Sequence, residues 1–84
     1  MEYSLAFKRS VARDLKKIGK EQAKRILNKI VKELPSEAIK CPQLKGKFAG
    51  LRKYRIGNYR IIFALLEDTI LIARISHRKD VYKR

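Results

Sequence analysis

The sequence predicts a small α+β domain in which an αα-hairpin covers one face of an antiparallel sheet, with elements in the order β-α-α-β-β-β. Three observations carry that expectation. An apolar stripe at helical spacing runs through residues 20–34, a Gly57-Asn58 pair separates two strand-like runs, and a third run rich in β-branched residues occupies 70–76. At 84 residues with 45% hydrophobic content, 4 Gly and 2 Pro, the chain is expected to form one folded domain, residues 1–84. A domain of this size buries only roughly 60 to 65% of the surface its unfolded chain exposes, so its core must be thin.

The elements follow in order. In "YSLAF", Tyr3, Leu5 and Phe7 alternate as in a half-buried strand. Ser10 is a suitable N-cap for a short helix on which Val11, Leu15 and Ile18 share one side, and Gly19 suits its C-terminus. "KEQAKRILNKIVKEL" places Ala23, Ile26, Leu27, Ile30, Val31 and Leu34 on one stripe, with Pro35 as the expected stop. With little more than Gly19 between them, the two helices must fold back on one another. The stretch "PSEAIKCPQLKGKFAG" has no sustained period and is long for a structureless loop, so it either hides a helical turn or has a task. Two strands joined at Gly57-Asn58, a turn at Glu67 to Thr69 and the strand "ILIARIS" complete the chain.

Charge is the strongest bulk signal. Twenty-two Lys and Arg against 8 Asp and Glu leave +14, a self-repulsion that a polyanion or an acidic protein would relieve. A nucleic-acid partner is expected first. "MEYSLAFKRS" lacks the basic and apolar regions of a signal peptide, and "IIFALL" is far too short to cross a bilayer, so a cytoplasmic location without a membrane partner is expected. Cys41 is alone and beside Pro42, so it can form no internal disulfide and is expected to be a small buried or semi-buried side chain.

A two-residue turn fixes the register of the hairpin, so Ile56 should face Tyr59, Arg55 should face Arg60, Tyr54 should face Ile61 and Lys53 should face Ile62. Tyr54, Ile56, Tyr59 and Ile61 then point to the core, and Lys53, Arg55 and Arg60 point away from it. Like charges directly opposite one another destabilise a sheet by up to roughly 1 kcal/mol, so Arg55 against Arg60 suggests an anion held between them. The bland alternative is that both side chains splay into solvent. Ile62, Ala64 and Leu66 continue the Arg60 face as apolar residues, which fits either burial on both faces or an apolar strip for a partner's helix.

The chain ends in "ISHRKDVYKR", where His77, Arg78, Lys79, Asp80 and Tyr82 follow the last strand at once. An imidazole, a permanent cation and a phenol are suitable parts for proton transfer at a phosphodiester, although a charged terminus is more often frayed. Neither a metal-ligand spacing nor a cofactor motif is present, so such chemistry would use protein groups and the RNA's own 2′-OH.

"LKG" (Leu44 to Gly46), "YRIGNYRIIF" (Tyr54 to Phe63) and "ISHRKDVY" (Ile75 to Tyr82), in this order, resemble the RelE/ParE superfamily of toxin–antitoxin toxins over the full chain. The resemblance implies a RelE-like fold and a metal-independent endoribonuclease that cuts messenger RNA in the ribosomal A site and stops translation. It implies catalytic roles for Arg60, Arg78 and Tyr82, with His77 as a further candidate. RNA-binding roles fall on Lys53, Arg55, Lys45, Lys47 and Lys79. The implied partners are the ribosome, its messenger and a cognate acidic RelB-like antitoxin, with operator DNA bound only through the antitoxin complex. The superfamily's ParE branch shares the fold but poisons DNA gyrase by binding. Arg60, Arg78 and Tyr82 together favour the nuclease over that branch and over a non-catalytic basic RNA-binding module.

Overall fold

The computed structural model describes residues 3–46 and 49–77. Strand β1 (Ser4–Phe7) leads into helices α1 (Arg9–Ile18) and α2 (Lys20–Glu37), and the chain then returns through β2 (Leu51–Ile56), β3 (Tyr59–Leu65) and β4 (Thr69–His77). The four strands form one sheet in the order β1-β4-β3-β2. The α+β class and the element order agree with the expectation from sequence.

One pairing departs from it. β2–β3 and β3–β4 are antiparallel, but β1 runs parallel to β4, with Leu5 opposite Ile70 and Phe7 opposite Ile72, so the sheet is mixed. The cause lies in the connection. Two antiparallel helices return the chain to the end at which β1 stopped, and the link after them runs back along β2, so β2 and then β4 start in the same direction as β1. In that link Gln43 forms an antiparallel bridge with Arg52, Leu44 N–H donates to Leu51 O (2.8 Å) and Lys53 N–H donates to Pro42 O (3.3 Å). The outer edge of β2 is thereby partly covered, which blunts it as a template for another chain.

The helices begin and end for reasons only partly visible in the sequence. Gly19 joins them at φ 101°, ψ 152°, a backbone region that essentially only glycine occupies. Gly19→Ala is therefore expected to destabilise the fold by about 1–3 kcal/mol, read as a lower urea midpoint at unchanged slope. Ser10 does not cap α1: the N-cap is Lys8, and the Ser10 hydroxyl instead donates to Ala73 O on β4 at 2.8 Å. Pro35 does not stop α2 either. Ala38 N–H still donates to Leu34 O, and Val31, whose carbonyl loses its donor at Pro35, is exposed, so water can serve it. A single 3₁₀ turn (Ala38–Lys40) follows, which is the helical turn concealed in the long irregular stretch.

The core lies between the helices and one sheet face. Val11, Ile26, Ile30 and Leu34 meet Ile56, Ile61, Phe63, Ile70, Ile72 and Ile75, with Tyr54 and Tyr59 packed at its margin. Leu5 and Tyr3 also pack against it, whereas Phe7 is largely exposed. The opposite sheet face carries a row of half-buried apolar side chains, Leu51, Ala64, Leu71 and Ala6, one from each strand in register. None of the described helical segments is long and apolar enough to cross a membrane.

Candidate phosphate site

The hairpin register is the one that the two-residue turn dictates: Ile56 pairs with Tyr59, Arg55 with Arg60, Tyr54 with Ile61 and Lys53 with Ile62. Gly57 has φ 58° while Asn58 keeps a negative φ, the pattern of a type II′ turn. Ile56 and Ile61 are buried, which puts Lys53, Arg55 and Arg60 on the face away from the helices.

These three cations line one cavity of about 310 Å³ together with Lys40, Glu37 and Tyr54. Four cations and one carboxylate thus surround a space large enough for a small ligand. Arg55 and Arg60 stand directly opposite each other, a placement that costs stability unless an anion lies between them. Guanidinium forks hold phosphate oxygens through paired N–H donors, so the arrangement suits a phosphodiester.

The cavity wall is braced by bonds that the linear sequence does not show. Tyr54 O–H donates to Glu33 Oε1 on α2 at 2.8 Å. Burial first, and then that bond and the charge of Glu33, push the Tyr54 phenol up to about 12, so at neutral pH it stays protonated and acts as a donor. Arg52 donates from one terminal nitrogen to Ile39 O (3.3 Å) and Cys41 O (2.9 Å), tying the end of the 3₁₀ turn to β2. Cys41 is buried as expected, and its thiol, which donates to Glu37 O, is pushed up by that burial and by the nearby Glu37 charge against a smaller opposing effect of Arg52.

The remaining site residues expected from sequence fall elsewhere. Lys45 is exposed in the link before β2. His77 pairs with Tyr59, not with Arg60, whose partner on β4 is Ser76. His77 therefore faces the helix side of the sheet and does not share the Arg60 cavity; its ring meets that of Tyr59 edge-on, with centroids 5.1 Å apart at 89°. Lys47, Arg78, Lys79 and Tyr82 lie outside the described residues. No group of three or more His, Cys, Asp or Glu that could hold a metal ion occurs among the described residues.

Asp14 was not singled out from sequence. It is buried on α1, and its Oδ2 accepts both Ile75 N–H (2.9 Å) and Arg74 Nε (3.0 Å). Ile62 pairs with Arg74 while Phe63 pairs with Ile72, so Ala73 is the extra residue of a β-bulge. The pairing of β1 with β4 ends at Phe7 and Ile72, and from there Ser10 and Asp14 serve the Ala73 carbonyl and the Ile75 amide in place of a strand. The signal was available: Asp14 interrupts the stripe of Val11, Leu15 and Ile18, and a carboxylate in an apolar stripe needs a buried partner.

Comparison with known proteins bears on this geometry. Residues 5–82 match the family described as ParE toxin of type II toxin–antitoxin system. Toxin RelG of Mycobacterium tuberculosis is 28% identical over 100% of both chains, and Toxin RelE3 of Methanocaldococcus jannaschii is 34% identical over 90% of this chain and 91% of that one. Among solved structures, a chain of the toxin–antitoxin complex RelBE2 from Mycobacterium tuberculosis superposes with a TM-score of 0.84 at 25% identity, covering 93% of this chain and 100% of the other.

Proposed function

We propose that this chain, which belongs to the RelE/ParE superfamily of type II toxin–antitoxin toxins, is a metal-independent endoribonuclease that cuts messenger RNA in the ribosomal A site. The observation that supports this most is the convergence of Lys53, Arg55 and Arg60 on one cavity. In this reading Arg55 and Lys53 hold the scissile phosphate, and Arg60 stabilises the extra negative charge that builds up as the RNA 2′-OH attacks phosphorus. Arg78 is assigned to the same charge, and Tyr82 to the proton of the attacking hydroxyl or to stacking on a base. Lys45, Lys47 and Lys79 contribute to backbone binding. His77, on the other side of the sheet, is left outside this set.

The partners follow the same logic. An acidic, partly apolar antitoxin of RelB type would neutralise the +14 charge and could cover the row of Leu51, Ala64, Leu71 and Ala6, and operator DNA would be reached through that complex. Its action on ribosomes assigns the chain to the cytoplasm.

The matching family description names ParE, so gyrase inhibition is the second reading. Primer extension on a translated messenger, with and without the protein, separates the two. Cuts at ribosome-bound codons are expected. Intact messenger together with trapped gyrase–DNA complexes would overturn the nuclease reading.

A further inference from the structure

A second cavity, of about 360 Å³, opens between α1 and the end of β4 and shares no lining residue with the first. Its walls include Asp14, Lys17, Tyr59, Arg74, Ser76 and His77. We propose that it binds a nucleotide, with the phosphate on Arg74 and Lys17 and the base against the Tyr59–His77 pair.

Arg74 carries the argument. Its Nε is committed to Asp14, while its side chain remains 57% exposed and its terminal nitrogens meet no acceptor among the described residues. A buried carboxylate thus holds one edge of a guanidinium whose side chain is otherwise more than half exposed, and a donor oriented before binding loses less entropy when an anion arrives. Lys17 lies three residues beyond Asp14, on the same side of α1, and is exposed. The pair can hold one phosphate from two directions.

The aromatic wall distinguishes a nucleotide from a simple anion. Tyr59 and His77 are held perpendicular, with ring centroids 5.1 Å apart, and both line the cavity. A base can stack on one while the Tyr59 hydroxyl remains within reach of polar groups. An acidic peptide would use the cations and leave the rings unused. A volume near 360 Å³ also matches a base with its sugar better than a lone phosphate.

The choice of ligand rests on the proposed action on RNA, but its test requires no cleavage. Adenosine monophosphate titrated into the protein should shift the ring protons of both His77 and Tyr59 in a saturable manner in NMR spectra. Lys17→Glu should weaken that binding by about ten-fold, the loss of one charge-assisted bond, whereas Lys29→Glu, an equal charge change on the exposed side of α2, should alter it by less than about two-fold. His77→Phe should retain affinity and His77→Ala should lose it. A trinucleotide RNA run in parallel separates a chain segment from a free nucleotide, and saturable ring shifts with either support the site. Absent ring shifts, equal weakening by Lys17→Glu and Lys29→Glu, or identical shifts with inorganic phosphate alone would overturn the proposal. Failure of the nuclease reading would appear separately, as intact messenger in the primer-extension assay.

Discussion

Arg60→Ala is expected to lower messenger cleavage on programmed ribosomes by about 10²–10³-fold while leaving the fold as stable as before or slightly more so. The two effects have opposite signs for one reason. In the absence of RNA, Arg60 faces Arg55 across the hairpin, and relieving that repulsion gains up to roughly 1 kcal/mol. In the proposed reaction, with a phosphate in the cavity, the same guanidinium would meet charge that grows toward the transition state, and its removal should be felt in the rate more than in binding. Single-turnover cleavage and a thermal melt of the same variant test both arms. Arg60→Lys should fall between, since it keeps the charge and loses the fork. Unaltered cleavage by Arg60→Ala would remove Arg60 from the chemistry. Equal loss of cleavage and of stability would make it a structural residue only.

That the basic trio could be located from sequence follows from the physics of a short hairpin. A two-residue turn leaves a single register, and a period of 2 then assigns every side chain to a face, so Lys53, Arg55 and Arg60 had to share one. Lys40 and Glu37 could not be assigned to the same cavity, because they reach it only through the way in which the link folds back along β2. The face of His77 was equally hidden. The bulge at Ala73 resets the alternation of β4, and only the paired register shows that Ser76, and not His77, stands beside Arg60.

The direction of β1 was lost for a related reason, since strand pairing between residues some 65 apart in sequence leaves no local mark. Local rules also misread Ser10 and Pro35. Ser10 has a cap's chemistry but spends its hydroxyl on a carbonyl 63 residues away, and Pro35 falls in the last turn, where the helix can lose one bond and continue. At Ser10 a tertiary partner outweighed a capping preference worth about 1 kcal/mol, whereas at Pro35 the lost bond falls where water can serve the freed carbonyl. The roles given to the terminal Arg78 and Tyr82, by contrast, rest mainly on the resemblance, and both residues lie outside the described ones.

Asp14→Ala is expected to produce the largest loss of stability among exchanges on α1. The substitution deprives the Ile75 amide of its acceptor at a buried position, at a cost of about 1–3 kcal/mol, while Arg74 can turn back into water at little cost because most of its side chain is exposed. For a domain of this length, about 2 kcal/mol corresponds to a fall of roughly 8–16 °C in Tm. Asp14→Asn separates the acceptor from the charge. Both bonds end on Oδ2, so an amide oxygen can receive both, and this variant should recover more than half of the loss. Hydrogen exchange at the Ile75 amide gives the local readout, fast in the Ala variant and protected in the Asn variant. If Asn were as damaging as Ala, the negative charge and not the hydrogen-bond acceptor would be what secures β4 beyond the end of β1. If Ala melted like the parent chain, α1 would not be serving as the missing strand at all.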